Sequence, residues 1–239
     1  MTRPIVGVSL KAYFSLADAR AWLIEAAGVV PGSVEFFVAP SYLAIPDGLE
    51  AFPDGTAAQD VSAEEPGPFT GEVTAAELEE AGVRYAVIGH AERRRLYGDT
   101  DEVVAAKTAA ALRHGLVPVL CVGETEDGPD AAAVSVAQVR SALAGAPPGR
   151  VIVAYEPVWA ISAMDPAPDE HIRAVAAALR AASRDPGDAV IYGGSAGPGL
   201  LARLGDAVDG VFLGRRAHEV RALKTVIEEA VARTGSAPA

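Results

Sequence analysis

Side chains that can move a proton or stabilise negative charge stand just after apolar segments that are typical of buried strands. The residues that follow the first, fourth and sixth of these segments are Lys11, His90 with Glu92, and Glu156. A cation, an imidazole and a carboxylate around one ligand are suited to proton transfer on an anionic substrate. We therefore predict an acid–base site with Lys11, His90 and Glu156 as its catalytic residues.

Glu156 stands at the clearest of these strand ends. The segment VIVAYEPVWAI begins at Val151 with an almost wholly apolar, β-branched run, which is typical of a strand buried on both faces. Pro157 then ends the strand, because it has no N–H to donate. A carboxylate at the exit of a buried strand is costly without a partner or a use. The alternatives for Glu156 alone are an ion pair at the rim and a functional acid.

Strand-like segments alternate with Ala- and Leu-rich helical segments along the whole chain. The predicted strands are 5–8, 34–39, 56–59, 85–88, 117–122, 151–155, 190–192 and 210–213. The predicted helices are 15–27, 74–81, 101–114, 131–144, 169–184, 198–204 and 219–233, with at best a truncated helix after the second strand. This alternation predicts an α/β fold, a (β/α)8 TIM barrel of eight parallel strands. We expect one domain over residues 1–239, with 234–239 frayed. A doubly wound open sheet is the alternative, although no G-x-G-x-x-G follows the first strand.

The composition narrows the classes of protein and ligand. The net charge of −12 argues against a nucleic-acid surface, although backbone N–H groups can still hold a phosphate. No apolar run reaches about 18 residues and the N-terminus lacks a signal-peptide core, so no membrane partner is expected. A single cysteine, Cys121, fits a reducing cytoplasm and is interpreted as a small buried hydrophobe. No Cys/His cluster indicates a metal site, and the histidines expected at the surface or at helix caps are His114, His171 and His218.

Six short blocks resemble the triosephosphate isomerase family, and together they cover nearly the full length of the chain. They are AAQD at 57–60, FTGE at 69–72, VIGHAERR at 87–94, CVGE at 121–124, AYEPVWAI at 154–161 and YGGS at 192–195. The resemblance implies roles that are known from the family. Glu156 is the base, neutral His90 polarises the carbonyl, and Lys11 holds the substrate and favours the charge of the enediolate.

The resemblance also implies supporting residues. The segment Pro157-Val158-Trp159 resembles the first hinge of a lid that closes over the substrate. Glu92 is expected to pair with Lys11 or with a nearby arginine. Tyr192 and Ser195 resemble the partners that latch the closed lid. The residues expected to contact the substrate or its phosphate are Ser9, Ser162, Ser195, Gly214 and Arg215.

The chain departs from the family pattern at four places. Ser9 stands where the family has asparagine, and Ala91 stands where it has serine. Both changes make room near the reacting end for an additional CH₂OH group. The lid tip, ISAMDPAP at 161–168, and the Gly214-Arg215-Arg216 turn also differ. Arg215 could bind the phosphate directly or point outward to an acidic neighbour, and the sequence leaves both open.

The resemblance implies an aldose–ketose isomerase for a short-chain sugar phosphate of the dihydroxyacetone phosphate/glyceraldehyde 3-phosphate type. A tetrulose phosphate such as L-erythrulose 1-phosphate is the alternative substrate. A non-catalytic phosphosugar-binding barrel is the alternative from another class. No cofactor is implied, because the reaction only relocates a proton. The loop 59–73 resembles one that reaches a sister subunit near Lys11, so a homodimer is expected with Phe69 and Thr70 in its interface.

Overall fold

The computed structural model describes residues 3–161 and 163–235, in which strands and helices alternate. The strands are β1 (Ile5–Ser9), β2 (Glu35–Ala39), β3 (Ala57–Ala58), β4 (Tyr85–Ile88), β5 (Val117–Val122), β6 (Ile152–Tyr155), β7 (Ala189–Tyr192) and β8 (Gly210–Leu213). The helices are α1 (Leu16–Ala27), α2 (Ile45–Ala51), α3 (Ala75–Glu80), α4 (Ala91–Tyr97), α5 (Asp101–Arg113), α6 (Ala131–Leu143), α7 (Asp169–Ala181), α8 (Leu200–Leu204) and α9 (Val220–Gly235). None of these helices is long and apolar enough to cross a membrane.

The strands form one parallel sheet that closes on itself. Its eight strands follow the order β2-β1-β8-β7-β6-β5-β4-β3. A single parallel bridge between Val38 and Thr56 joins the two ends, supported by a 2.8 Å hydrogen bond from the Val38 N–H to the Gly55 carbonyl. The predicted parallel barrel is therefore confirmed, and the carboxyl ends of all its strands share one mouth.

Side chains alternate between the inside of the barrel and the layer beneath the helices. Along β5, for example, Cys121 belongs to the inner cluster and Leu120 to the outer one. The inner cluster is crowded at Phe37, and a Cβ placed on Gly7 would lie 2.1 Å from Cζ of its ring. Gly7 is thus required so that the β1 backbone can pass Phe37, and the filled interior supports the mouth above it.

Two features differ from the sequence-based expectations. Helix α4 was not predicted, because its sequence AERRRLY buries none of its residues and has no apolar periodicity. Ion pairs support it instead, such as Arg94 to Asp101 at 2.7 Å, and Gly98 ends it in the left-handed conformation. Helix α9 extends to Gly235, which lies in the segment predicted to fray, and residues 236–239 lie outside the described part of the chain.

Candidate active site

A cavity of about 100 Å³ lies at the carboxyl mouth of the barrel. Lys11, His90 and Glu156, which come from three well-separated strand ends, all line it. The predicted contact residues that also line it are Ser9, Ser195, Gly214 and Arg215. Ser162, which was predicted with them, lies outside the described residues.

Glu156 is held tightly against the wall of this cavity. Its backbone N–H donates to the Val122 carbonyl at 2.7 Å, and the residue is only 5% exposed. A Cβ on Gly193 would lie 2.5 Å from the Glu156 carboxylate, so a side chain at position 193 would clash with that of Glu156. Among the described residues, the Oε2 atom has no hydrogen-bond partner. A buried carboxylate oxygen left without a partner is free to accept a proton from a bound molecule.

One contact of the Glu156 carboxylate was not predicted from the sequence. Cys121 is buried, as predicted, but it packs beside the carboxylate rather than among hydrophobic groups alone. Burial raises the pKa of the Cys121 thiol well above its usual value, and the charge of Glu156 raises it further. The thiol therefore stays neutral and adds no negative charge beside the acid. The inward position of Cys121 in the alternation of β5 is the sequence signal that could have revealed this contact.

The hydrogen bond of His90 fixes which of its ring nitrogens carries the proton. His90 caps α4, and its Nδ1 accepts a hydrogen bond from the Glu92 N–H at 3.1 Å. A nitrogen that accepts from a backbone amide carries no proton, so the neutral ring holds its proton on Nε2. That Nε2 atom lies 3.8 Å from Oε2 of Glu156, so a hydrogen-bond donor and a carboxylate oxygen face the same small space.

Lys11 is positioned by contacts at its backbone and at its ammonium group. Its backbone has a φ of +49°, a conformation that few non-glycine residues adopt. The Gln59 side chain donates to the Lys11 carbonyl at 2.9 Å and to the Ala39 carbonyl at 3.0 Å. The ammonium lies 2.6 Å from the Glu92 carboxylate, which is the predicted pairing. Burial raises the pKa of Glu92, but the hydrogen bond and charge of Lys11 outweigh it and hold that pKa below its usual value.

The described residues of one segment, 158–161 and 163–167, are here called the lid, which is attached near both of its ends. Ser195 donates through its hydroxyl to the carbonyls of Ala160 at 2.8 Å and Ala163 at 2.9 Å. The hydroxyl of Tyr192 accepts from the Ala167 N–H at 3.0 Å. These contacts hold the lid against the turn after β7, where it covers the cavity.

A buried acid at the first hinge of the lid was also missed. Glu124 is 4% exposed and accepts hydrogen bonds from Trp159 Nε1 at 2.8 Å and from the Tyr155 hydroxyl at 3.0 Å. His171 lies 3.1 Å from the same carboxylate, so the expectation of a surface or cap position for it was wrong. His114, in contrast, follows the last turn of α5 and pairs with Glu65, as a cap residue does.

A buried carboxylate, an imidazole and a lysine thus meet at the mouth of a parallel barrel, an arrangement typical of a class of enzymes, the isomerases that relocate a proton beside a carbonyl. The family model described as "Triosephosphate isomerase" matches residues 4–230, and the chain belongs to this family. L-erythrulose-1-phosphate isomerase of Pectobacterium atrosepticum is 44% identical over 94% of this chain and 95% of that protein. Triosephosphate isomerase of Leifsonia xyli subsp. xyli is 40% identical over 87% of each chain. Triosephosphate isomerase of Thermus thermophilus is 36% identical over 95% of this chain and 98% of that protein. The expectation of an isomerase is confirmed, whereas the comparisons include relatives with two different substrates.

Proposed function

We propose that the chain interconverts a tetrulose phosphate of the L-erythrulose 1-phosphate type with the isomeric tetrulose phosphate whose carbonyl lies on the neighbouring carbon. The observation that carries this proposal is Ser9, which lines the cavity where the family has a larger asparagine. Ala91, next to His90, is likewise smaller than the family's serine. The relative of 44% identity named for this tetrulose phosphate supports the same choice.

In the proposed reaction the proton moves between two adjacent carbons of the substrate. Glu156 removes it from the carbon beside the carbonyl, and the C–H electron pair forms the double bond of an enediolate. His90 donates from Nε2 to the oxygen on which charge develops, and Lys11 stabilises that charge. Glu156 then returns the proton to the neighbouring carbon, while the hydroxyl proton passes through Nε2 of His90 to the former carbonyl oxygen, so that the carbonyl forms on the carbon that lost the proton. The lid keeps water out while the enediolate exists.

The proposed phosphate site lies on the side of the cavity formed by the turns after β7 and β8. Ser195, Gly214 and Arg215 line this side. In the described part of the chain no acidic side chain pairs with Arg215, which favours the first of its two predicted roles. A guanidinium beside the cavity supplies a planar donor pair that matches phosphate oxygens.

The second candidate is the triose phosphate substrate, supported by relatives such as those of Leifsonia and Thermus. Measuring kcat/KM for L-erythrulose 1-phosphate and dihydroxyacetone phosphate decides between the two. We expect only the tetrulose phosphate to reach the ordinary enzyme range of about 10⁴ M⁻¹s⁻¹ or more. Ser9→Asn should reduce the tetrulose rate and leave any triose rate unchanged. A triose phosphate value in that range, above the tetrulose value, would reject the proposal.

We also propose that two copies of the chain assemble through the loop 59–73. Phe69 on this loop is 38% exposed, and the nearby mouth of the barrel carries Tyr13 at 59% and Tyr97 at 68% exposure. Aromatic side chains are enriched at protein–protein interfaces, so these exposed rings support an assembly. Light scattering at micromolar concentration should give twice the chain mass, and Phe69→Glu should halve it. A wild-type monomer under these conditions would contradict the assembly.

A further inference from the structure

An arginine from the turn after β8 reaches the tip of the lid. Arg216 lies in the 215–217 turn and donates from Nη2 to the main-chain carbonyl of Met164. The Met164 side chain is 85% exposed, so burial contributes little to holding the tip in place. A hydrogen bond from a charged donor is stronger than one between neutral groups, so this contact can restrain the tip.

The aliphatic part of the Arg216 side chain is also held in place, by packing against a backbone. A Cβ placed on Gly197 would lie 2.7 Å from Cδ of Arg216, so the arginine crosses the β7 loop in direct contact with its backbone. In the described part of the chain, Arg216 forms no ion pair with an acidic side chain. Its guanidinium is thus committed to the lid rather than to a neighbouring carboxylate.

We propose that Arg216 is a positioning residue that latches the lid tip to the phosphate-binding turn. The proposal deepens the proposed function and rests on it for its kinetic consequences. Tyr192 at the end of β7 and Ser195 in the turn after it contact the lid, and Arg216 adds a contact from the turn after β8. Because Arg215 and Arg216 are adjacent, a phosphate bound at Arg215 and a lid held by Arg216 stabilise the same turn. Phosphate binding and lid closure are thereby coupled.

The first test measures the lid itself and needs no substrate. In hydrogen–deuterium exchange, peptides covering 158–167 should exchange faster in Arg216→Ala than in the wild type, by about tenfold or more. Arg216→Lys, which keeps the charge but loses the fork of donors, should fall between the two. Arg221→Ala changes an exposed arginine on α9 and is the matched control, with wild-type exchange expected. Equal exchange in Arg216→Ala and the wild type would overturn the latch.

The second test measures what an unlatched lid does to the reaction. In an open site the enediolate can expel phosphate: an enediolate oxygen becomes a carbonyl, the carbon–carbon double bond shifts to the carbon that bears the phosphate, and the C–O bond there breaks with its electron pair leaving on phosphate. Arg216→Ala should therefore lower kcat/KM about tenfold and raise the inorganic phosphate released per isomerised product. Arg216→Lys should restore part of both values. A rate loss without additional phosphate release would reduce Arg216 to a structural role and overturn the proposal.

The two tests separate failure of the latch from failure of the proposed function. A wild type that isomerises neither sugar phosphate would reject the proposed function, while the exchange experiment would still decide the latch. Thermal unfolding of each variant shows whether a change in exchange or rate reflects the lid or a loss of fold. If Arg216→Ala fails to fold, Arg216→Gln retains the bulk of the stem on Gly197 and tests the same contact.

Discussion

At the scale of single residues, the surroundings of Glu156 leave little tolerance for a shorter acid. The turn at Gly193 fits closely against its carboxylate, and its Oε2 atom faces His90. Glu156→Asp withdraws the carboxylate by one methylene, and a misplacement of this size costs on the order of a hundredfold in rate. We expect kcat to fall by a factor of that order in steady-state kinetics while KM changes little. An equal loss of affinity for a non-reacting phosphosugar analogue would contradict the role of a base.

The pairing of Lys11 with Glu92 predicts a pH-dependent contribution to stability. The pKa of Glu92 is lowered in the folded chain from its ordinary value of 4.5. A carboxyl group whose pKa is lowered by folding stabilises the fold at pH values above its unfolded-state pKa. This stabilisation is lost as the pH falls through the folded-state pKa. Glu92→Gln should therefore reduce the free energy of unfolding by up to about 1 kcal/mol at neutral pH.

Urea unfolding of both proteins from pH 7 downward measures this difference. The difference in the free energy of unfolding between the wild type and Glu92→Gln should disappear as the pH falls below the ordinary pKa of a glutamate. A gap that stays constant over this range would show that the effect is not electrostatic. Glu80→Gln, at an exposed position on α3, is a control that should show little gap at any pH.

At the scale of elements, the turn after β7 is shaped by the side chain that it faces. A methyl group on Gly193 would meet the Glu156 side chain at 2.5 Å, and that side chain is the part able to move. Gly193→Ala should therefore keep the fold and lose about a hundredfold in kcat, because the proposed base, Glu156, is displaced. Circular dichroism and steady-state kinetics check both expectations. Gly128→Ala, where nothing lies within 4 Å, is the matched control, and equal losses in the two variants would contradict this account.

The strands and helices that could be predicted from the sequence are those whose burial produces a recognisable pattern of apolar residues. The strands and the long helices were predicted to within a few residues, because apolar runs and caps such as Thr74 with Glu77 mark them. Helix α4 was missed because ion pairs, such as those of Arg93 with Asp60 and of Arg94 with Asp101, support it rather than an apolar face. Glu124 and His171 were missed for a related reason, since only the folded chain brings α7 beside the first lid hinge.

At the scale of the whole molecule, barrel closure depends on how the interior is filled. Gly7 passes the ring of Phe37 so closely that an alanine methyl would overlap it at 2.1 Å. Gly7→Ala should destabilise the protein by about 1–3 kcal/mol or more, because the interior cannot expand without moving strands. The midpoint of urea unfolding measures this loss. Gly32→Ala, which meets nothing within 4 Å, should leave the midpoint unchanged, and a wild-type midpoint for Gly7→Ala would contradict the packing.

The barrel is joined least securely between β2 and β3, where the single bridge from Val38 to Thr56 completes the circle. Gln59 follows directly and clamps the Lys11 and Ala39 carbonyls, so the same weak seam carries the support for the ammonium. The loop proposed to receive a second copy begins at this point. Dilution that separates the two copies would then loosen the seam and withdraw Lys11, so that turnover per chain would depend on protein concentration.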